Sequence, residues 1–127
     1  MTYKILVVDD SKLARMSVAK ALTALRPDWT RVEAANADEA LILAEQSPID
    51  IALLDFNMPG RDGLELAAQL LALNPGMPVA VISANHQSEI VARAREVGAI
   101  FLTKPITEQA LGEFIDHAVE TLEGRAR

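Results

Sequence analysis

The residues of this chain alternate five times between a short apolar run and a longer segment with helical spacing. The first run, residues 3–8, is apolar at every position from 5 to 8, and therefore on both faces of a strand. That pattern predicts a strand covered on both sides, as in a parallel sheet. Ser11 follows where a helix N-cap belongs, and Pro27 ends the predicted helix.

The same alternation predicts four further strands, each followed by a helix. The expected strands are residues 30–35, 49–55, 79–83 and 99–103. The second of the five strands alternates polar and apolar residues, which is typical of a sheet edge. The helices after it are expected to begin near Asn36, Leu64, Ser88 and Thr107. Gly98 and Gly124 are expected to end the last two.

Strict alternation of strands and helices predicts a parallel sheet with right-handed crossovers and helices on both faces. An eight-unit barrel needs about twice this length. We therefore predict one α/β domain over residues 1–127, a doubly wound, five-stranded sheet of the flavodoxin-like type. Its expected strand order is 2-1-3-4-5, with five helices on two faces.

The composition excludes several classes of protein and site. The absence of cysteine removes disulfide frameworks, cysteine zinc sites and thiol nucleophiles. His86 and His117 are far apart in sequence, and we expect both at the surface rather than at a metal. The net charge of −6 argues against nucleic acid or an anionic membrane as a main partner. No apolar run approaches the ~20 residues that span a bilayer, and no signal peptide is recognisable, so we expect a cytoplasmic protein.

Polar residues collect where the predicted strands end, which is where open parallel sheets carry their functional groups. Asp9 and Asp10 follow the first strand, Asp55 ends the third, Ser83 ends the fourth, and Lys104 follows the fifth. Three close carboxylates repel one another unless a cation shares the site. Oxygen ligands without imidazole or thiolate favour Mg²⁺.

These residue types suit phosphoryl transfer. Lys104 supplies a compact charge that can bind phosphate, and Ser83 can donate a hydrogen bond to a phosphoryl oxygen. Asp55 is then the natural acceptor, because a carboxylate can form an aspartyl phosphate. Phosphoryl transfer depends mainly on positioning and charge neutralisation, so the sequence predicts Mg²⁺-dependent phosphoryl chemistry at Asp55.

The strand ends VVDDS, LLDFNMPGRDG, VISA and FLTKP resemble the receiver domain of bacterial two-component response regulators, in the manner of small chemotaxis-type regulators. The resemblance extends from Lys4 to about Leu122. It implies phosphoryl transfer to Asp55 from a sensor histidine kinase or a histidine phosphotransfer protein. It also implies a downstream protein partner, bound by the face of helix 4, strand 5 and helix 5, and no turnover of an external substrate.

The resemblance further implies roles for the metal ligands. Asp10 would ligate Mg²⁺ directly, Asp9 would act mainly through bound water, and Asp55 would contribute its carboxylate. The backbone carbonyl of Asn57 would supply another oxygen.

A second group of roles concerns the switch. Lys104 would pair with Asp55 at rest and with the phosphoryl group afterwards. Ser83 would move towards that group, and Phe101 would turn inward as the switch aromatic. Pro105 matches the cis-proline of the family.

Other functions stay open at this point. The first is a Mg²⁺-dependent phosphohydrolase of the haloacid-dehalogenase type, although Asn57 stands where that class has a second acid. The second is a flavodoxin-like binding module, although the loop after the first strand lacks a phosphate-cradling Ser/Thr/Gly-rich sequence. The third is a receiver cut from a longer transcriptional or enzymatic regulator. A phosphorylation-dependent dimer is compatible with the receiver interpretation.

Overall fold

The computed structural model describes residues 2–85 and 87–125 and contains one parallel sheet in the order β2-β1-β3-β4-β5. The strands are β1 (Lys4–Val8), β2 (Thr30–Ala34), β3 (Ile51–Asp55), β4 (Val79–Ser83) and β5 (Ile100–Thr103). The helices are α1 (Lys12–Leu25), α2 (Ala37–Gln46), α3 (Gly63–Leu73), α4 (Ser88–Val97) and α5 (Glu108–Arg125). The predicted doubly wound, flavodoxin-like fold is confirmed.

The sheet separates two apolar layers. On one face, alternate residues of β1, β3 and β4 pack against α2, α3 and α4, and on the other face the intervening residues pack against α1 and α5. All five positions of β3 are buried, as expected for a central strand covered on both sides. β2 is largely exposed, as the alternating sequence of an edge strand predicts.

The predicted helix starts are largely confirmed. The side chains of Ser11, Asn36 and Thr107 each accept a hydrogen bond from a backbone N–H in the first turn of the helix that follows. At the end of α4, Gly98 adopts a left-handed conformation with φ of 89°, which a residue without Cβ tolerates.

The expectation that Gly124 ends the last helix is wrong, because α5 continues to Arg125. A capping glycine needs a positive φ, and of the described glycines only Gly60 and Gly98 have one. Gly124 therefore lies within the helix. His117 is exposed on α5, as predicted, whereas His86 lies outside the described residues. Within the described chain, no helix is long and apolar enough to cross a membrane.

Candidate functional site

Three carboxylates meet at the carboxyl edge of the sheet. Asp9 and Asp10 follow β1, Asp55 ends the neighbouring β3, and one carboxylate oxygen from each lies within 4.8 Å of the others. Asp9 and Asp55 are buried, while Asp10 is exposed. The parallel arrangement of β1 and β3 explains the cluster, because both strands end at the same edge.

Lys104, which follows the edge strand β5, also contacts this cluster. Its Nζ lies 2.6 Å from Oδ1 of Asp55, although β4 separates the strands that carry the two residues. The lysine side chain therefore crosses the end of β4. The backbone N–H of Lys104 donates to the carbonyl of Ser83 at 3.0 Å, and the Lys104–Pro105 peptide bond is cis.

Hydrogen bonds with β2 and with the residue before α1 hold Asp9 in place. Its backbone N–H donates to the carbonyl of Ala34 at 3.1 Å, and its Oδ1 accepts from the N–H of Ser11 at 2.9 Å. Burial raises the pKa of Asp9, and the charges of Asp55 and Asp10 raise it further. The hydrogen bond from Ser11 and the charge of Lys104 lower this pKa, but burial dominates.

The donor set fits a hard divalent cation. Oδ1 of Asp55 is buried and, among the described residues, accepts no hydrogen bond of satisfactory geometry, so only the charge of Lys104 compensates it. Burial, and after it the charges of Asp55 and Asp10, raise the pKa of Asp9, so a cation bound here would favour its ionised form. Asp9, Asp10 and Asp55 offer only oxygen ligands, as Mg²⁺ prefers. Asn57 lies exposed two residues beyond Asp55, in the loop after β3.

Ser83 lies beside the acidic cluster, and Phe101 lies farther along the sheet. Ser83 is completely buried at the end of β4, and its Oγ accepts from the N–H of Asn85 at 3.0 Å. Phe101 is half-buried on the edge strand β5, opposite Val81, and packs against the layer that contains α4. Phe101 therefore lies two strands from β3, which carries Asp55, and two residues before the end of its own strand.

Two residues at the site were not predicted from the sequence. Gly63 lies so close to the backbone of Asp55 that a Cβ would be 3.0 Å from the Asp55 carbonyl carbon. Arg15, which received no role, donates from its guanidinium to the backbone carbonyl of Asp9. A glycine at the first position of α3, directly after the N-cap Asp62, is the one local signal that pointed to such a contact.

A groove with a volume of about 480 Å³ lies at the opposite edge of the sheet, where β4 and β5 begin. Leu71, Met77 and Val97 are among the residues that line it, and none of its lining residues is a carboxylate. Because converging charged groups indicate chemistry better than volume does, we assign the site to the acidic cluster.

Comparisons with known proteins agree with this geometry. The chain is 39% identical over 118 residues to the positive alginate biosynthesis regulatory protein of Pseudomonas aeruginosa, a match that covers 90% of this chain and 46% of that protein. The chain spans about half the length of the first curated relatives it matches, or less.

Two solved structures show the same fold. A CheY-like receiver domain protein from Methanospirillum hungatei is 26% identical, with a TM-score of 0.88 over 98% of this chain and 99% of that one. A CheX–CheY–BeF₃–Mg²⁺ complex from Borrelia burgdorferi is 25% identical, with a TM-score of 0.83 over 92% of this chain and 89% of that one.

The sequence model of the response regulator receiver domain matches residues 5–116, which include all of the sheet except Lys4, and all helices except the second half of α5. The match spans the three carboxylates, the serine and the lysine at the carboxyl edge of the sheet. This chain belongs to the family of response regulator receiver domains of two-component systems.

Proposed function

We propose that Asp55 accepts a phosphoryl group from the phosphohistidine of a sensor histidine kinase or a histidine phosphotransfer protein. The observation that carries this proposal is the buried Asp55 carboxylate, paired at 2.6 Å with Lys104 and bordered by Asp9 and Asp10. A nucleophile, a phosphate-binding cation and candidate metal ligands then occupy one small site.

The reaction forms a bond between an Asp55 carboxylate oxygen and phosphorus and breaks the bond between phosphorus and the donor imidazole nitrogen. The electron pair of that bond stays with the imidazole, which leaves as the neutral base when its other ring nitrogen is protonated and otherwise takes a proton from water. Lys104 neutralises charge on the carboxylate before transfer and on the phosphoryl oxygens after it. The 2.6 Å contact of its Nζ with Oδ1 of Asp55, made across the end of β4, supports this role.

In this proposal Asp10 and Asp55 bind Mg²⁺ directly, Asp9 acts through water, and the carbonyl of Asn57 completes the protein ligands. Bound Mg²⁺ supplies positive charge that offsets both the carboxylate cluster and the transferring phosphoryl group. The unfavourable ionisation of Asp9 and the poorly satisfied Oδ1 of Asp55 support a cation at this position.

The output of the site is a change on the face formed by α4, β5 and α5. Ser83 would move its hydroxyl towards the phosphoryl group, and because that hydroxyl accepts the N–H of Asn85, the following loop would move with it. Phe101 would then pack inward, since it is half-buried beside α4. Phosphorylation shifts an existing equilibrium between two packings, and a downstream protein, or a second copy of the chain, binds one of them better.

We also propose that residues 1–127 act as one receiver domain in the cytoplasm and do not turn over an external substrate. The family model that matches residues 5–116 is the response regulator receiver domain, which does not favour the phosphohydrolase alternative. Asn57 also stands where a phosphohydrolase of that type would carry its second acid.

Intact mass after incubation with acetyl phosphate tests the proposal. We expect the mass of one phosphoryl group to appear only with Mg²⁺, to be absent in Asp55→Asn, and to persist in Asp28→Asn, which changes an exposed aspartate outside the cluster. If acetyl phosphate leaves no adduct, Mg²⁺-dependent binding of beryllofluoride decides the outcome. Failure of both reactions would overturn the proposed function.

A further inference from the structure

Arg15 connects three elements at the edge of the acidic cluster. It is the fourth residue of α1, donates through Nη1 to the backbone carbonyl of Asp9, and contacts Oε1 of Glu33 through Nε at 3.1 Å. Only 16% of its side chain is exposed, whereas 40% of the Glu33 side chain is exposed. The guanidinium therefore joins the start of α1 to the ends of β1 and β2.

The hydrogen bond acts on the peptide that joins two candidate metal ligands. The carbonyl of Asp9 and the N–H of Asp10 belong to one planar unit, so fixing the carbonyl fixes where the Asp10 backbone points. The N–H of Asp9 is already held by Ala34, and its carboxylate is held by the N–H of Ser11. Arg15 holds the remaining polar group of Asp9, the backbone carbonyl that is bonded to the nitrogen of Asp10.

An arginine suits this position because its planar guanidinium donates in two directions at once and stays charged. Glu33 occupies one of these directions and orients the group, and Asp9 occupies the other. A partly exposed ion pair such as Arg15–Glu33 adds little stability by itself. The contribution of the pair is therefore orientation rather than stability.

We infer that Arg15 is a positioning residue for the divalent cation. Arg15 holds the Asp9–Asp10 peptide so that the carboxylates of Asp9 and Asp10 face Asp55. This inference rests on the proposed function for the identity of the ligand, and on the hydrogen bonds of Arg15 for the positioning itself. Outer partners that orient metal ligands contribute to metal affinity although they do not touch the metal.

The first test is the Kd for Mg²⁺, measured by isothermal titration calorimetry. Loss of an outer partner typically weakens metal binding roughly 10–100-fold, so we expect Arg15→Ala to raise the Kd about tenfold or more. Arg15→Lys restores part of the affinity, because one ammonium can reach Asp9 but cannot also hold Glu33 in the same geometry. If Arg15→Ala does not fold, Glu33→Gln replaces it, with a smaller increase in Kd.

Arg26→Ala is the matched control. Arg26 directly follows the last residue of α1. Like Arg15, it connects separate segments, because it pairs with Asp116 at 3.0 Å and lies over the ring of Trp29 at 5.4 Å from the ring centre. It lies at the opposite end of α1 from the cluster. We expect it to leave the Kd for Mg²⁺ unchanged. A wild-type Kd in the folded Arg15 variants, or an equal increase in Arg26→Ala, would overturn the inference.

The second test uses the Mg²⁺-free protein. The amide resonances of Asp10 and Ser11 should shift in Arg15→Ala and stay in place in Arg26→Ala, because only the first variant frees the Asp9–Asp10 peptide. Unmoved resonances in Arg15→Ala would refute the positioning role whatever the metal does. If the wild-type chain binds neither Mg²⁺ nor beryllofluoride, the proposed function fails, and the amide comparison still decides the role of Arg15.

Discussion

The backbone of Gly63 lies directly against the backbone of Asp55, and no side chain fits between them. A Cβ on Gly63 would lie 3.0 Å from the carbonyl carbon of Asp55 and from Cα of Phe56, and closer still to the Asp55 carbonyl oxygen. The N–H of Gly63 donates to the carbonyl of Phe56 at 2.9 Å. The first residue of α3 is therefore packed onto the end of β3, where the candidate phosphoryl acceptor lies.

Gly63→Ala should destabilise the protein, because the new methyl group meets backbone atoms that cannot rotate away. Overpacking of this kind costs about 1–3 kcal/mol or more in the free energy of unfolding, which urea denaturation measures. Gly124→Ala is the control. Nothing lies within 4 Å of its Cβ position inside α5, so the exchange should stabilise the helix by up to about 1 kcal/mol. Equal stabilities of Gly63→Ala and the wild type would contradict the close contact.

Lys104→Met should destabilise the Mg²⁺-free protein by leaving the buried Asp55 carboxylate without its compensating charge. A buried polar group that loses its partner costs about 1–3 kcal/mol, and more when the group is charged. Combining Lys104→Met with Asp55→Asn should recover most of this loss, because the uncompensated charge is gone. Urea unfolding of the two single variants and the double variant measures the coupling. Strictly additive effects would show that the 2.6 Å ion pair contributes nothing to the free energy of unfolding.

Asp9→Asn should stabilise the Mg²⁺-free protein at neutral pH. Burial raises the pKa of Asp9 above its ordinary value of 3.8, so the folded state binds this proton more tightly than the unfolded chain does. The stability that protonated Asp9 contributes is fully present below pH 3.8 and is lost as the pH rises through the raised pKa. The stability difference between Asp9→Asn and the wild type should therefore grow with pH across that window.

The measurement for Asp9→Asn is urea unfolding at several pH values in chelator-treated buffer, with and without added Mg²⁺. Mg²⁺ should reverse the ranking, since it binds the wild-type carboxylates better than the amide variant. A stability difference that stays constant with pH would show that ionisation of Asp9 costs the folded state nothing.

Much of the architecture followed from local patterns. Apolar residues at successive positions, as in the strand that leads to Asp55, identify strands covered on both faces, and parallel strands bring their carboxyl ends to one edge. That rule is enough to bring Asp9, Asp10 and Asp55 together before any coordinates are known. The starts of helices could also be predicted from the local sequence, because a capping side chain such as Asn36 acts within the first turn of its own helix.

Predictions were wrong or silent where a residue's surroundings come from distant segments. Gly124 resembles a helix terminator in sequence, but a glycine ends a helix only when the chain after it turns away, and here the helix continues. No periodic pattern in the sequence predicts the contacts of Gly63 with Asp55 and of Arg15 with Glu33, because each contact depends on how two elements pack.

The sequence by itself therefore determined the class of fold and the kinds of chemical groups at one edge of the sheet, since periodicity and parallel pairing are properties of short segments. Only the tertiary structure decided that Lys104 crosses β4 to reach Asp55, that Gly63 leaves room for the Asp55 backbone, and that Arg15 holds the Asp9–Asp10 peptide. These relationships depend on ångström-scale distances between residues far apart in the chain, and close packing of the folded elements sets such distances.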